Sequence, residues 1–151
     1  MELKYPIGIQ TFDKIREDGY VYVDKTDMIY SLTHSGTIYF LSRPRRFGKS
    51  LLVSTLKNYY LGRRDLFKGL AIDKLEKDWN TYPVFHIDFN ADMFSQVGSL
   101  DETLEAYVSR WEKEYGIERE YPMSVGRRFA YVMEEAHRQT GLRCVVLIDE
   151  Y

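Results

Sequence analysis

Cysteine is almost absent from this chain of 151 residues. The single thiol, Cys144, excludes an intrachain disulfide, and its place before an apolar run predicts a buried, unreactive side chain. A chain without disulfides is typical of a reducing compartment, which indicates a cytoplasmic location. The N-terminus also lacks a basic segment followed by an apolar stretch, so the sequence predicts no signal peptide.

Long apolar runs and an excess of positive charge are also missing. No stretch approaches the ~18 apolar residues that cross a membrane, so we expect no membrane association. The net charge of −2 argues against a general nucleic-acid binder, which would be basic overall. His34, His86 and His137 lack the cysteine or carboxylate spacing of a zinc site. The composition describes an ordinary soluble globular chain, and the length predicts one domain.

Basic residues are nevertheless concentrated in one loop, Arg43–Ser50. The apolar run Ile38–Leu41 precedes this loop, and a helical pattern that begins at Leu51 follows it. Strand, basic loop and helix in this order are the setting of a phosphate-binding loop, in which backbone N–H groups and a helix N-terminus face an anion. The basic cluster fits a polyphosphate as well as it fits the backbone of a nucleic acid, so both ligands stay open.

Gly48, Lys49 and Ser50 match the end of the phosphate-loop pattern G-x-x-x-x-G-K-[ST]. Lys49 is expected to reach the β- and γ-phosphates, and the Ser50 hydroxyl is expected to hold Mg²⁺. Arg43 stands where the first glycine of the pattern belongs, so the motif is degenerate. A surface lysine is therefore the competing interpretation of Lys49.

A second apolar run, Val145–Ile148, ends in two carboxylates, Asp149 and Glu150. A continuous apolar run is typical of a strand that is buried on both faces of a parallel sheet. Asp149 would then lie at the sheet edge where ligands bind, within reach of a Mg²⁺ held by Ser50. Glu150 is placed to polarise a water for attack on the γ-phosphate. This run and the basic loop together favour a nucleotide site over a surface lysine.

Strand and helix patterns alternate along the chain, which predicts an α/β layered fold with a mainly parallel sheet. Besides the run before Asp149, strands are predicted at Tyr20–Val23, Thr37–Leu41 and Val84–Phe89. Helices are predicted over residues 10–17, 27–34, 50–61, 99–115 and 124–140, with short helical turns at 65–68 and 74–79. The two longest helices carry continuous apolar stripes, which we expect to face the core.

Two groups of polar residues have more than one interpretation. Asp24-Lys25-Thr26 either lines the base or phosphate site or serves as a helix cap and as surface charge, and capping and surface charge are favoured. Asn90 and Asp92 follow a predicted strand on the side of a parallel sheet where ligands gather, but residues of a turn are the favoured interpretation.

These residues resemble the AAA-ATPase-like family of bacterial P-loop proteins. The resemblance rests on stretches spread over the whole chain: Gly8-Ile9-Gln10-x-Phe12, Tyr22–Thr26, Arg43–Ser50, Val84–Phe89 and Leu147–Tyr151. It implies a three-layer P-loop NTPase similar to AAA+ ATPases, and the family also carries an arginine at the first-glycine position. Many members have a C-terminal domain of the PD-(D/E)XK nuclease type, through which nucleic acid would be a partner; these residues contain nothing like it.

The resemblance also implies that the ATPase domain continues beyond residue 151. In the P-loop class that includes AAA+ proteins, a strand later in the sequence lies between the phosphate-loop strand and the Asp-Glu strand. We therefore expect residues 1–151 to be the N-terminal part of an AAA-like ATPase domain, truncated after the Asp-Glu (Walker B) strand. Such a fragment would leave sheet edges unpaired and would be weakly active or inactive, whereas the complete protein would be an ATPase.

The leading hypothesis is an ATP-binding, Mg²⁺-dependent P-loop domain. Its predicted metal ligands are Ser50 and Asp149, and its predicted catalytic residue is Glu150. The predicted nucleotide-binding residues are Arg43, Pro44, Arg45, Arg46, Phe47, Gly48, Lys49, Ser50 and Leu51. Two alternatives stay open: a nucleic-acid-binding module, whose affinity would fall steeply with salt, and a nuclease-associated scaffold that binds nucleotide without hydrolysing it.

Overall fold

The computed structural model describes residues 2–36, 39, 48–89, 100–118 and 122–149. These residues fall into two compact units, Met1–Thr81 and Tyr82–Tyr151. The first unit contains α1 (Phe12–Glu17), α2 (Thr26–Ser35), α3 (Lys49–Tyr60), a 3₁₀ turn (Arg64–Phe67) and α4 (Ala71–Leu75). The second unit contains β1 (Val84–Asp88), α5 (Leu100–Glu114), α6 (Val125–Thr140) and β2 (Val145–Asp149).

Apolar side chains from each helix of the first unit meet in one core. Phe12 and Ile15 of α1 are 0% and 1% exposed. The Phe12 ring packs against Phe67 with the ring centroids 4.6 Å apart. Burying a side chain of this size contributes roughly 1.5–3 kcal/mol, so these contacts hold α1 on the unit. The predicted helix is confirmed, although it begins at Phe12 rather than at Gln10.

The prediction of a strand at Tyr20–Val23 is wrong, because only Tyr20 takes part in strand pairing. Tyr20 pairs with Lys4 in a parallel bridge, and no named strand includes these residues. The alternating Tyr and Val pattern does not extend the pairing, because Tyr22 turns its ring onto Phe12, with the centroids 5.2 Å apart. Packing against the core overrides the local preference for a strand here.

β1 and β2 pair in parallel, in a register that ends with Asp88 opposite Asp149. Phe85 and Ile87 of β1 are buried against α5 and α6. The same core contains the apolar side chains that the helical spacing predicted to face inward: Tyr107, Val108, Trp111, Val132 and Ala136. The α/β class is therefore confirmed, with a two-stranded parallel sheet in the described part of the chain.

A buried arginine joins the two long helices of the second unit. Arg128 of α6 is 2% exposed, and its guanidinium donates to Glu112 and Glu105 and to the Ser109 hydroxyl, all three on α5. Hydrogen bonds to Glu112 first, and then to Glu105, hold the pKa of Arg128 above its ordinary value. This network fixes the register of α5 against α6.

The predicted strand Thr37–Leu41 lies, apart from Tyr39, outside the described residues, so a three-layer architecture stays a prediction. Within the ranges given above, each helix is too short or too polar to cross a membrane.

Candidate functional site

Helix α3 begins at the three residues that match the phosphate-loop pattern. Gly48 is its N-cap and has a φ of 80°, in the left-handed region that favours glycine. A Cβ at this position would meet nothing within 4 Å, so the backbone angle, and not crowding, explains the glycine. Lys49 and Ser50 follow in the first turn, partly buried, and that turn contains no acidic side chain. The positive end of the helix dipole is therefore not neutralised from within α3.

Polar side chains of α3 bond to α1 and to the main chain of α3 itself. Ser54, one turn after Ser50, accepts the Phe12 N–H at 2.9 Å, which ties the start of α1 to α3. Thr55 and Asn58, both nearly buried, donate to carbonyls of the preceding turn of the same helix. Helix α3 is thus tied to α1 through Ser54, a side chain that lies outside the motif.

The C-terminal end of α3 is fixed by a buried carboxylate. The Tyr59 hydroxyl donates to Glu76, which is 8% exposed and also accepts the N–H groups of Lys77 and Asp78 at 3.1 and 3.2 Å. His34 Nε2 lies 3.4 Å from Glu76 Oε2, the oxygen that accepts the Tyr59 hydroxyl. Burial, followed by the bond to Glu76, raises the pKa of Tyr59. The phenol therefore stays protonated and keeps donating.

The Asp24-Lys25-Thr26 triplet caps helices, as favoured above. Asp24 Oδ1 accepts the N–H and the hydroxyl of Thr26 at 3.0 and 2.6 Å, which caps the start of α2. Asp24 Oδ2 accepts the Ala71 N–H at 2.8 Å, and the Thr26 hydroxyl accepts the Ile72 N–H at 3.1 Å. These two bonds satisfy the first N–H groups of α4. Although burial raises the pKa of Asp24, the bonds from Thr26 and Ala71 outweigh it and lower the pKa.

This long-range cap also corrects a predicted boundary. The local sequence predicted a helical turn at 74–79, whereas α4 is Ala71–Leu75. Its start is set by side chains 47 and 46 residues earlier in the chain, so no local pattern marks it. The other predicted turn, at 65–68, is confirmed within one residue as the 3₁₀ turn Arg64–Phe67.

Two acidic residues are register partners at the carboxyl end of the parallel sheet. Asp149, the last residue of β2, is 7% exposed and lies opposite Asp88, the last residue of β1. The Phe89 N–H donates to the Asp149 carbonyl at 3.2 Å, so the pairing continues past the end of β1. Asp88 was not among the predicted site residues. The sequence marks it less clearly than Asp149, because Asp88 lies inside the predicted strand Val84–Phe89 rather than after its end.

The oxygen donors predicted to hold the metal suit Mg²⁺. This ion is a hard cation that binds one or two carboxylates together with waters and phosphate oxygens, and Ser50 and Asp149 offer a hydroxyl and a carboxylate. The two residues belong to different units, and their sharing of one ion stays a prediction. Arg43–Phe47, Glu150 and the Asn90 and Asp92 pair lie outside the described residues.

Comparisons with known proteins identify a family for this chain. The sequence profile of a family described as "Predicted AAA-ATPase" matches residues 6–151. The "Uncharacterized protein in vnfD 5'region" of Azotobacter chroococcum mcd 1 is 43% identical over 153 residues, covering 98% of this chain. The matched part is 29% of that protein, so the chain spans less than a third of its relative's length. No solved structure matches the chain significantly.

Proposed function

Because the chain belongs to the predicted AAA-ATPase family, we propose that it binds ATP with Mg²⁺ through the loop Arg43–Ser50. The observation that carries the proposal is the start of α3. Gly48 takes the left-handed conformation there, and Lys49 and Ser50 occupy the first turn of a helix whose N-terminal N–H groups suit an anion. A lysine that was merely on the surface would need none of these features.

Each residue of the proposed site has a separate task. The Lys49 ammonium binds the β- and γ-phosphates. The backbone N–H groups of Arg43–Leu51, except at Pro44, which has none, surround these phosphates. The Ser50 hydroxyl and the Asp149 carboxylate hold Mg²⁺, which neutralises phosphate charge when it is bound. Glu150 orients the attacking water. Hydrolysis in this scheme depends on positioning and charge stabilisation rather than on a covalent intermediate.

The same proposal covers the fold and the whole protein. A three-layer P-loop domain would place the strand Thr37–Leu41 in the same sheet as β1 and β2, with strands from beyond residue 151 completing it. Efficient ATP hydrolysis then belongs to the complete protein. A cytoplasmic location, indicated by the single cysteine, belongs to the proposal as well.

Titration with a fluorescent ATP analogue, with and without Mg²⁺, tests the phosphate loop. Lys49→Ala should weaken binding by about 10- to 100-fold, because it removes a charge-assisted contact with phosphate. Lys57→Ala, at the other end of the same helix, is the matched control and should bind like the parent. Equal affinities of the parent and Lys49→Ala would show that the loop is not the binding site.

Turnover measurements separate the two acidic residues. Glu150→Gln should keep the affinity for Mg-ATP and lower any turnover, because only the orientation of water changes. Asp149→Asn should raise the Mg²⁺ concentration needed for binding. Equal losses of affinity in both variants would contradict these separate roles.

A further inference from the structure

The outer edge of β1 is occupied by a side chain from a helix. In a parallel sheet, alternate residues of a strand direct their N–H and C=O groups to opposite sides. The Pro83 carbonyl and the Phe89 N–H both bond to β2, at 2.9 and 3.2 Å. By this alternation the N–H and C=O groups of Asp88 point away from β2. The Tyr107 hydroxyl meets them there, 3.2 Å from each.

The Tyr107 hydroxyl does at Asp88 what a neighbouring strand would do. It accepts a hydrogen bond from the Asp88 N–H and donates one to the Asp88 carbonyl. An unpaired edge strand exposes such groups to other chains or to water, and closing the edge removes that liability at this residue. β1 is therefore closed on its outer side at its carboxyl end.

Packing around the Tyr107 ring fixes the position of this hydroxyl. Tyr107 is 7% exposed in the core of the second unit, and its ring stacks on Trp111 with centroids 5.5 Å apart. The Arg110 guanidinium lies over the ring, 5.1 Å from the centroid. Removal of the hydroxyl alone would leave these ring contacts in place.

We propose that Tyr107 is a positioning residue for the nucleotide site. Its hydroxyl fixes the Asp88 peptide, and the next N–H, of Phe89, bonds to the main chain of Asp149. Tyr107 therefore holds the end of β1 directly. Through the Phe89 N–H, the end of β1 in turn holds the main chain of Asp149 at the end of β2. This role rests on the proposed function, in which Asp149 binds Mg²⁺.

Tyr107→Phe tests the role with two readouts. In the protein without nucleotide, the amides of Asp88 and Phe89 should exchange hydrogen faster than in the parent, while the Ile87 amide, inside the sheet, keeps its rate. In binding assays, the Mg²⁺ concentration for half-maximal binding of an ATP analogue should rise about three- to tenfold, as expected for the loss of about one net hydrogen bond. Binding without Mg²⁺ should be unchanged.

Two further variants make the test specific. Tyr131→Phe removes a hydroxyl from a side chain of α6 that is 51% exposed, and it should change neither readout. In an Asp149→Asn background, Tyr107→Phe should add nothing to the Mg²⁺ requirement, because residues that act through one another are not additive.

Parent-like exchange and a parent-like Mg²⁺ requirement in Tyr107→Phe would overturn the positioning role. A parent that does not bind Mg-ATP at all would instead remove the proposed function, and the positioning role with it. Faster exchange in the variant would in that case still locate the hydroxyl at Asp88, so the two failures are distinguishable.

Discussion

Asp88 lies directly opposite Asp149 in the register of the two parallel strands, at the end where the strands stop. Neighbouring strands are ~4.8 Å apart, so the main chains of these two acidic residues lie next to each other at the edge where ligands of parallel sheets bind. Like charges directly opposite each other destabilise a strand pair. A cation bound at this edge would offset that cost, which is why the arrangement matters for a Mg-nucleotide site.

Asp88→Asn should therefore stabilise the protein when Mg²⁺ is absent. We expect a gain of ~0.2–1 kcal/mol in the free energy of unfolding, measured by urea denaturation in EDTA, and a smaller gain in Mg²⁺. Glu114→Gln, which removes an exposed carboxylate of α5, is the control and should have no comparable effect. The same gain in both variants would mean that net charge, not the pairing with Asp149, is responsible.

Gly48→Ala should destabilise the protein by about 1–2 kcal/mol, because a side chain is forced into a left-handed backbone conformation. It should also weaken nucleotide binding, since the first turn of α3 depends on this residue. Gly126→Ala is the matched control: a Cβ added to this glycine of α6 would meet no atom within 4 Å, and its φ is not in the left-handed region. Thermal melts should show stabilisation by up to ~1 kcal/mol for the control.

Arg128→Ala should destabilise the second unit by about 3–5 kcal/mol, because it leaves the nearly buried Glu112 without its charged partner. Replacing both residues by apolar ones, as in Arg128→Met with Glu112→Leu, should recover most of this loss. Arg138→Ala, which breaks an exposed ion pair with Glu135, should leave the urea midpoint unchanged. An equally small effect of Arg128→Ala would show that the network does not fix the helix pair.

The cap formed by Asp24 predicts a dependence of stability on pH. Because the pKa of Asp24 is lowered in the folded protein, its contribution is present above the ordinary pKa of 3.8 and is lost as the pH falls through the lower folded value. Asp24→Asn should cost about 1 kcal/mol at pH 7, because the amide has one acceptor oxygen where the carboxylate uses two, and the difference from the parent should shrink at pH 3. Urea denaturation at both pH values measures it, with the exposed Asp18→Asn as control. A difference that stays constant would contradict the cap.

Periodicity predicted the parts of the fold that local sequence controls. The apolar stripes of α5 and α6 follow from spacing, and their side chains are observed in the core of the second unit. The start of α4 depends on hydrogen bonds from its N–H groups to Asp24 and Thr26. The predicted strand at Tyr20 does not form where the Tyr22 ring packs against Phe12. The bonds from Asp24 and Thr26 to α4 join residues 47 and 46 positions apart, which no local window of the sequence contains.

The residues of the candidate site were also predictable from the sequence only in part. The motif predicted Gly48, Lys49 and Ser50 at the start of a helix and Asp149 at a strand end, where the structure places them. The pairing of Asp149 with Asp88 required the strand register, and the contact between Tyr107 and Asp88 required the docking of α5. Neither can be read from spacing along the chain.

Calorimetric titration of residues 1–151 with ATP, in Mg²⁺ and then in excess EDTA, tests the central claim most directly. The account predicts one ATP bound per chain, an affinity that falls when Mg²⁺ is removed, and little sensitivity to added salt compared with a nucleic-acid ligand. No binding of Mg-ATP at millimolar concentration, or binding of single-stranded DNA that falls steeply with salt while ATP does not bind, would contradict it.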